Sequence, residues 1–159
     1  MTIDAKTFWR CLSERAIGAT VVTVDGQDGP AGFLGLSATH VSADPPTLLV
    51  SIDRRTSACA EVIERGRFAV NFLPADAQAI ADAFAGRGGI KGAARFATGE
   101  WTTLSTGAPV LATALGAFDC QVTEVIDRGQ VAIVLGLVVA ATSRGDGEPL
   151  ILFRGTTLS

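Results

Sequence analysis

The sequence predicts a mainly β protein, one antiparallel sheet or barrel with a few helices packed outside it. Three observations carry this reading. Apolar and β-branched runs bounded by turn residues recur along the chain, at residues 20–24, 33–41, 47–52, 68–73, 118–126, 131–141 and 150–153. These runs do not alternate regularly with helical segments, which counts against the competing reading, a doubly wound parallel sheet. No repeat period of 20 to 50 residues and no linker divides the 159 residues, so residues 1–159 are expected to form a single domain.

Taken in order, Asp4 and Thr7 are candidate caps for a first helix in which Phe8, Cys11 and Leu12 recur at helical spacing; the pattern stops at Ile17-Gly18. Residues 20–24 are β-branched throughout, and Gly26-Gln27-Asp28-Gly29-Pro30 turns the chain into a second strand at 33–41. Asp44-Pro45-Pro46 stops regular pairing because neither proline has an N–H, and 47–52 then reads as a fully buried strand. Asp53-Arg54-Arg55-Thr56-Ser57 leads into a helix whose Cys59, Val62 and Ile63 share a face, with Gly66 as its stop. A strand follows at 68–73. Pro74 can open a third helix, with Ala77, Ile80, Ala81 and Phe84 on one face and Gly86 at its end. Residues 86–99, with five glycines and three basic residues, form the longest irregular segment, and 111–115 is too short and mixed to assign. The strands at 118–126, 131–141 and 150–153 close the chain, the last two joined through the Gly145-Asp146-Gly147 turn.

Composition narrows the function classes. Hydrophobic residues make up 48% of the chain and charged residues 18%, which describes a folded, turn-rich domain and excludes disorder. Thirteen Lys and Arg against sixteen Asp and Glu give a net charge of −3, and the pI is near 5.1, so no nucleic-acid or anionic-membrane footprint is present. Cys11, Cys59 and Cys120 are odd in number and far apart, which fits reduced, mostly buried thiols rather than a disulfide framework or a zinc site. No basic segment leads into an apolar one at the N-terminus, so the expected location is the cytoplasm. Mean hydropathy is +0.37, yet the longest apolar stretch, 131–141, is interrupted by Gly136 and falls short of the roughly 20 residues that span a bilayer.

The sharpest local signal for chemistry is Arg54-Arg55-Thr56-Ser57, two cations and two hydroxyls where a helix begins. Unpaired backbone N–H groups and the positive end of the helix dipole converge at such a point, which makes it a phosphate seat. A plain helix cap with solvated arginines accounts for the same residues. Arg87, Lys91 and Arg95 form a second basic cluster in the glycine-rich segment, either a lid over phosphate or an ordinary surface loop. His40 is the only histidine, and with no Gly-x-Ser-x-Gly elbow it reads as structural or ligand-lining rather than as part of a hydrolytic triad. Cys120 reads as buried packing, while Asp82, Asp119, Glu124 and Asp127 read as solvated or structural. Neither a Walker A motif nor a Gly-x-Gly-x-x-Gly fingerprint occurs.

The ordered set of segments resembles the flavin reductase-like family, the short-chain reductase components of two-component flavin monooxygenases. The residues that carry the resemblance begin with Arg15-Ala16-Ile17-Gly18-Ala19-Thr20-Val21-Val22-Thr23 and the stretch from Gly32 through Asp44-Pro45-Pro46. They continue through Arg55-Thr56-Ser57, Gly66-Arg67-Phe68-Ala69-Val70-Asn71-Phe72-Leu73, Ala83-Phe84-Ala85-Gly86, Arg95-Phe96, Gly107-Ala108-Pro109-Val110-Leu111 and Ala117-Phe118-Asp119-Cys120. The resemblance covers roughly residues 8 to 155. It implies an antiparallel split β-barrel of Greek-key type that dimerises and binds FMN or FAD near the subunit interface. Carried over by position, Leu34, Gly35, Leu36, Ser37 and Ala38 line the isoalloxazine largely through backbone groups; Arg55, Thr56 and Ser57 hold the flavin phosphate; Arg87 helps close that end. Phe153 and Arg154 fall on the nicotinamide side. The implied chemistry is hydride transfer from NADH or NADPH to flavin, which needs cofactor positioning rather than a catalytic side chain, with reduced flavin passing to a partner monooxygenase. The alternatives are a flavin-holding or electron-transfer module, and a related reductase acting on a metal-corrin or quinone acceptor. Two positions depart from the family pattern: Val131 stands where members often carry a histidine, and Phe153-Arg154-Gly155 is followed by Thr156-Thr157 in a chain with no tyrosine.

Overall fold

The computed structural model describes residues 1–158. The chain runs through α1 (Ala5–Leu12), β1 (Ile17–Gly18), β2 (Thr20–Gly26), β3 (Gly29–Gly35), β4 (Thr39–Ala43), β5 (Pro46–Asp53), α2 (Ser57–Arg65), β6 (Arg67–Phe72) and α3 (Gln78–Phe84). Two 3-10 turns, Arg87–Gly89 and Gly92–Ala97, precede β7 (Trp101–Thr102), β8 (Val110–Leu111), β9 (Gly116–Arg128), β10 (Val131–Ser143), β11 (Ile151–Phe153) and β12 (Thr156–Leu158). The main sheet has seven strands in the order β3-β2-β6-β9-β10-β5-β4, and every pair is antiparallel. That excludes the doubly wound alternative.

The strand order forces the sheet to curl. β3 and β4 lie at opposite edges, yet only Leu36, Ser37 and Ala38 join them. Seven flat strands would separate the edges by about 29 Å, whereas the four residue steps from Gly35 to Thr39 reach at most about 14 Å. The two ends of the sheet are therefore drawn together without pairing, and the barrel is split along a seam where β3 comes against β5, the strand next to the edge strand β4. The Ser37 hydroxyl closes the seam by donating to Ser51 O and accepting from Ser51 N, both at 3.2 Å.

Inside the curl, Val22, Val50, Ile52, Phe68, Val70 and Val134 pack on one another and on Cys59 and Val62 of α2, which plugs the barrel. Gly136 makes this possible, because a Cβ there would stand 2.6 Å from the Phe68 ring. The opposite face of β2 is covered too: Val21, with Ala19 just before the strand, packs with Leu73, Phe84, Leu111 and Leu150, so β2 is buried on both sides. α2 ends at Gly66 in the left-handed conformation, φ 69, as its position after the last apolar turn requires.

Several expectations change. The run 33–41 is two strands, because the chain must cross the seam at Leu36–Ala38. β5 alternates buried and half-buried residues rather than being wholly buried, since only one of its faces points into the barrel. α3 begins at Gln78 rather than Pro74, which is held instead in a bridge with Pro149. Residues 110–111 pair with Trp101 and Thr102. β10 and β11 follow one another but do not pair; β11 lies between β1 and β12 in a separate three-stranded sheet. α1 is capped by Asp4, whose Oδ1 accepts from Thr7 N at 2.7 Å, yet none of its residues is buried. Cys59 and Cys120 are buried as expected, and Cys11 is exposed. No helix among the described residues is long and apolar enough to cross a membrane.

Candidate functional site

The seam opens into two adjoining clefts that share Arg15, Ile17 and Leu36. The larger, of about 670 Å³, has Gly35, Leu36, Ser37 and Ala38 along one side and Leu49 and Ser51 across the seam, with Phe72 at one end. The smaller, of about 330 Å³, is lined by apolar Leu34, Leu36 and Leu152, by the rings of Trp9 and Phe153, and by three guanidinium groups, Arg15, Arg87 and Arg154. Predicted residues 34–38 thus reach both clefts, because successive side chains at the end of a strand alternate between faces. Arg87 lies with Phe153 and Arg154 rather than with Arg55.

The predicted anion seat forms where β5 passes into α2. Thr56 occupies the helix N-cap but its hydroxyl donates back to Asp53 O at 2.7 Å, so the first backbone N–H groups, Ser57 and Ala58, lack an intrahelical partner and a side-chain cap. Arg55 is held in place by Asp53, which accepts from its Nη2 at 2.7 Å and its backbone N at 2.9 Å. The hydrogen bond from Arg55 keeps the Asp53 carboxyl well below its usual range, at about 2. Arg54 turns to Asp127 at 3.1 Å. These residues line neither cleft directly; they stand at the far end of the same β5 that carries Leu49 and Ser51. Val131 begins β10 directly opposite Asp53, one strand from the seat.

An orphaned pair of helix N–H groups beside a fixed guanidinium suits a phosphate. A seam cleft with Gly35–Ala38 on one side, Leu49 and Ser51 across from it and Phe72 beside them offers both apolar and polar contacts, which suits a flat heteroaromatic ring with polar edges. The residues present therefore fit a flavin mononucleotide. Hydrolysis finds no support: His40 is exposed on β4, and the nearby Ser37 hydroxyl is committed to Ser51. Asp119 is fully buried and accepts from Ser105 N and Thr106 N, both at 2.7 Å, a structural role. Burial pushes the Cys120 thiol up to about 12, which leaves it inert.

Sequence reasoning missed Trp9, Arg15, Ile17 and Leu152. Trp9 lies three residues before Leu12 and was legible as its helical neighbour; the others depend on how the small sheet β1-β11-β12 packs, which no local pattern reveals.

Residues 13–158 match the family model of the flavin reductase like domain. The chain is 38% identical over 155 residues to an FMN reductase (NADH) RutF of Methylorubrum extorquens, covering 96% of this chain and 87% of the relative. It is 40% identical over 150 residues to an FMN reductase (NADH) RutF of Bradyrhizobium diazoefficiens, covering 94% and 81%. Among solved structures it is similar to BorF, the flavin reductase component of a bacterial two-component tryptophan halogenase, with a TM-score of 0.88, 31% identity and coverage of 98% and 97%. An NADH:FAD oxidoreductase of Streptomyces globisporus in complex with NAD and FAD fragments superposes with a TM-score of 0.87 at 28% identity, covering 100% and 96%. The chain belongs to the family of flavin reductase like domains.

Proposed function

We propose that this protein is an NADH-dependent FMN reductase that supplies reduced flavin to a partner oxygenase. The observation that carries the reading is the arrangement of three features: an anion seat at the start of α2, a seam cleft along Leu36–Ala38 whose Leu49 and Ser51 lie on the same β5 that leads to the seat, and a second, arginine-rimmed cleft sharing Leu36. Arg55, Thr56 and Ser57 hold the flavin phosphate through the Arg55 guanidinium, the Ser57 hydroxyl and the exposed helix N–H groups. Leu34, Gly35, Leu36, Ser37 and Ala38 flank the isoalloxazine, and the backbone groups of Leu36–Ala38, which lie between β3 and β4 and join no strand pair, are available to its polar edge. Phe153 and Arg154 receive the nicotinamide nucleotide, with Arg87 on the same rim. The flavin supplies the hydride acceptor. The chain orients the two rings against each other and excludes water from between them, so no general acid or base is required. FAD and NADPH are the alternative cofactor and reductant.

The relatives named FMN reductase (NADH) support the flavin and the reductant, and the similarity to BorF, a component of a two-component system, supports an oxygenase partner. The reading extends to a homodimer of single-domain subunits spanning residues 1–159. Phe72 supports it, because it lines both the seam cleft and an apolar groove with Leu115, Phe118 and Ala141, which places an apolar surface beside the flavin. The exposed thiol of Cys11 fits a reducing compartment, the cytoplasm. Val131 favours a second reading, a flavin-holding module that nicotinamide reduces poorly.

Titration of apo-protein with FMN, followed by anaerobic NADH, tests the function. Rapid loss of the visible flavin absorbance is the expected result. Tight FMN binding without bleaching would establish the holding module, and absence of binding would overturn both readings.

A further inference from the structure

We propose that Trp9 is the stacking platform for the adenine of the reductant, and that Arg154 exchanges Glu14 for the dinucleotide's pyrophosphate when the reductant binds. This rests on the reductase reading above and names the residues that would select its reductant.

Arg154 is the one non-glycine residue with positive φ among those described, at 51°. With Gly155, φ 74, it forms the two-residue turn that pairs Phe153 with Thr156. Asn, Asp or Gly holds such a turn with less strain, and strain retained beside a cleft points to a side chain wanted there. The guanidinium lies 4.8 Å from the centre of the Phe153 ring, on the rim of the smaller cleft. Its Nε and Nη2 both donate to Glu14 Oε2, at 2.9 and 2.7 Å, and its backbone N donates to Ser13 O at 3.1 Å. The ion pair therefore latches the segment after α1 to the C-terminal hairpin. Both partners are more than half exposed, 63% and 53%, so water screens the pair and a diphosphate can replace the single carboxylate oxygen.

Trp9 completes the site. It is 57% exposed, unusual for so large an apolar side chain, and it lines the same cleft as Phe153. A volume of about 330 Å³ lies at the small end of the range for ligand sites, suited to a nucleobase rather than a whole dinucleotide. Leu36 is shared with the seam cleft, so a base on Trp9 leaves the rest of the molecule running past Arg154, Arg87 and Arg15 toward the flavin ring. Arg15, Arg154 and Arg87, the last also paired with Asp82 at 2.9 Å, gather positive charge on this one cleft, as a dianionic linker requires.

ADP-ribose, which carries adenine and pyrophosphate but no nicotinamide, tests this without hydride transfer. Calorimetry on the FMN-loaded protein should show ADP-ribose binding that Trp9→Leu weakens about tenfold, as loss of a base stack does, while the Kd for FMN stays unchanged. Arg154→Ala should weaken ADP-ribose and raise the KM for NADH; Glu14→Gln, which removes the competing carboxylate, should tighten ADP-ribose. Opposite signs at positions 14 and 154 are not expected of a merely structural ion pair. Trp101→Phe leaves Trp9 as the sole indole, and its emission should fall as ADP-ribose is added. Equal ADP-ribose affinity in Trp9→Leu and the parent protein, or weakening by both Glu14→Gln and Arg154→Ala, would overturn the proposal. So would Trp9 emission that is unmoved by ADP-ribose because a second copy of the chain covers it. Failure of the reductase reading shows separately, as FMN that does not bind or does not bleach.

Discussion

Ser37 and Ser51 face each other across the barrel seam, the Ser37 hydroxyl bonding both the carbonyl and the N–H of Ser51 at 3.2 Å. One side chain thus does the work of a strand pair where no strand pair can form, and it fixes the spacing of the two walls between which the flavin ring is placed. Ser37→Ala should reduce stability by about 1 kcal/mol, the usual worth of such hydrogen bonds. It should also weaken FMN several-fold. Unchanged FMN affinity, measured by fluorescence quenching, would show that the wall spacing is set elsewhere.

Arg55→Ala combined with Ser57→Ala should weaken FMN by well over tenfold and leave riboflavin, which has no phosphate, unaffected. Because Asp53 stays ionised down to about pH 2, the Arg55–Asp53 geometry does not change over the working range. The pH dependence then belongs to the ligand: FMN affinity should rise as pH increases through about 6, where the phosphate takes its second charge. Riboflavin affinity should stay flat. Parallel losses of both ligands in the double variant would move the phosphate away from α2.

The start of α2 was legible in the sequence because capping, charge and hydrophobic spacing are all local there: Arg55, Thr56, Cys59, Val62 and Gly66 each occupy the place their spacing assigns. The seam was not, because 33–41 is uniformly strand-like and nothing local marks Leu36–Ala38 as the crossing point between opposite sheet edges. That break follows only from the strand order. The smaller cleft was half legible: Leu34, Arg87, Phe153 and Arg154 came from the resemblance, whereas Trp9 belongs to a helix whose amphipathic pattern reads as packing although none of its residues is buried, and Arg15 lies in the turn that follows it.

Val131→His should lower the KM for NADH if the nicotinamide nucleotide extends toward the start of β10. The strand pairing sets Val131 opposite Asp53, so an imidazole there would stand near the flavin seat rather than near Trp9. Stopped-flow reduction of bound FMN reads the effect directly. An unchanged KM would confine the dinucleotide to the smaller cleft and the part of the seam nearest Leu36.

Asp25 couples β2 to the far end of β6, accepting from Arg67 Nε at 2.8 Å and Arg65 Nη2 at 3.3 Å. The Arg67 hydrogen bond lowers its pKa in the folded protein below the usual value near 3.9. A carboxyl depressed by folding contributes stability above its unfolded pKa and loses that contribution as pH falls through the folded one. Asp25→Asn should therefore cost about 1–2 kcal/mol at pH 7, discounted for partial exposure, and progressively less below pH 4. Thermal melts of the two proteins that differ equally at pH 7 and pH 2.5 would assign the cost to packing instead.

Gly136 and Phe68 make a lock-and-void pair in the barrel core. A methyl group at 136 would meet the Phe68 ring at 2.6 Å and Cys120 Cβ at 2.9 Å, and both neighbours are fully buried, so neither can swing into solvent. The register shift of β10 against β9 falls between Leu135 and Gly136, which further restricts the backbone's freedom to move away. Gly136→Ala should destabilise by about 1–3 kcal/mol, the range for overpacking a close-packed core. Phe68→Leu alone opens a void and should also destabilise. Combined, the smaller side chain at 68 leaves room for the methyl at 136, so the double variant should be more stable than the sum of the single losses predicts, by at least about 0.5 kcal/mol. Strict additivity in denaturant unfolding would mean that β10 yields to the methyl group instead, and that the glycine serves the bulge rather than the ring.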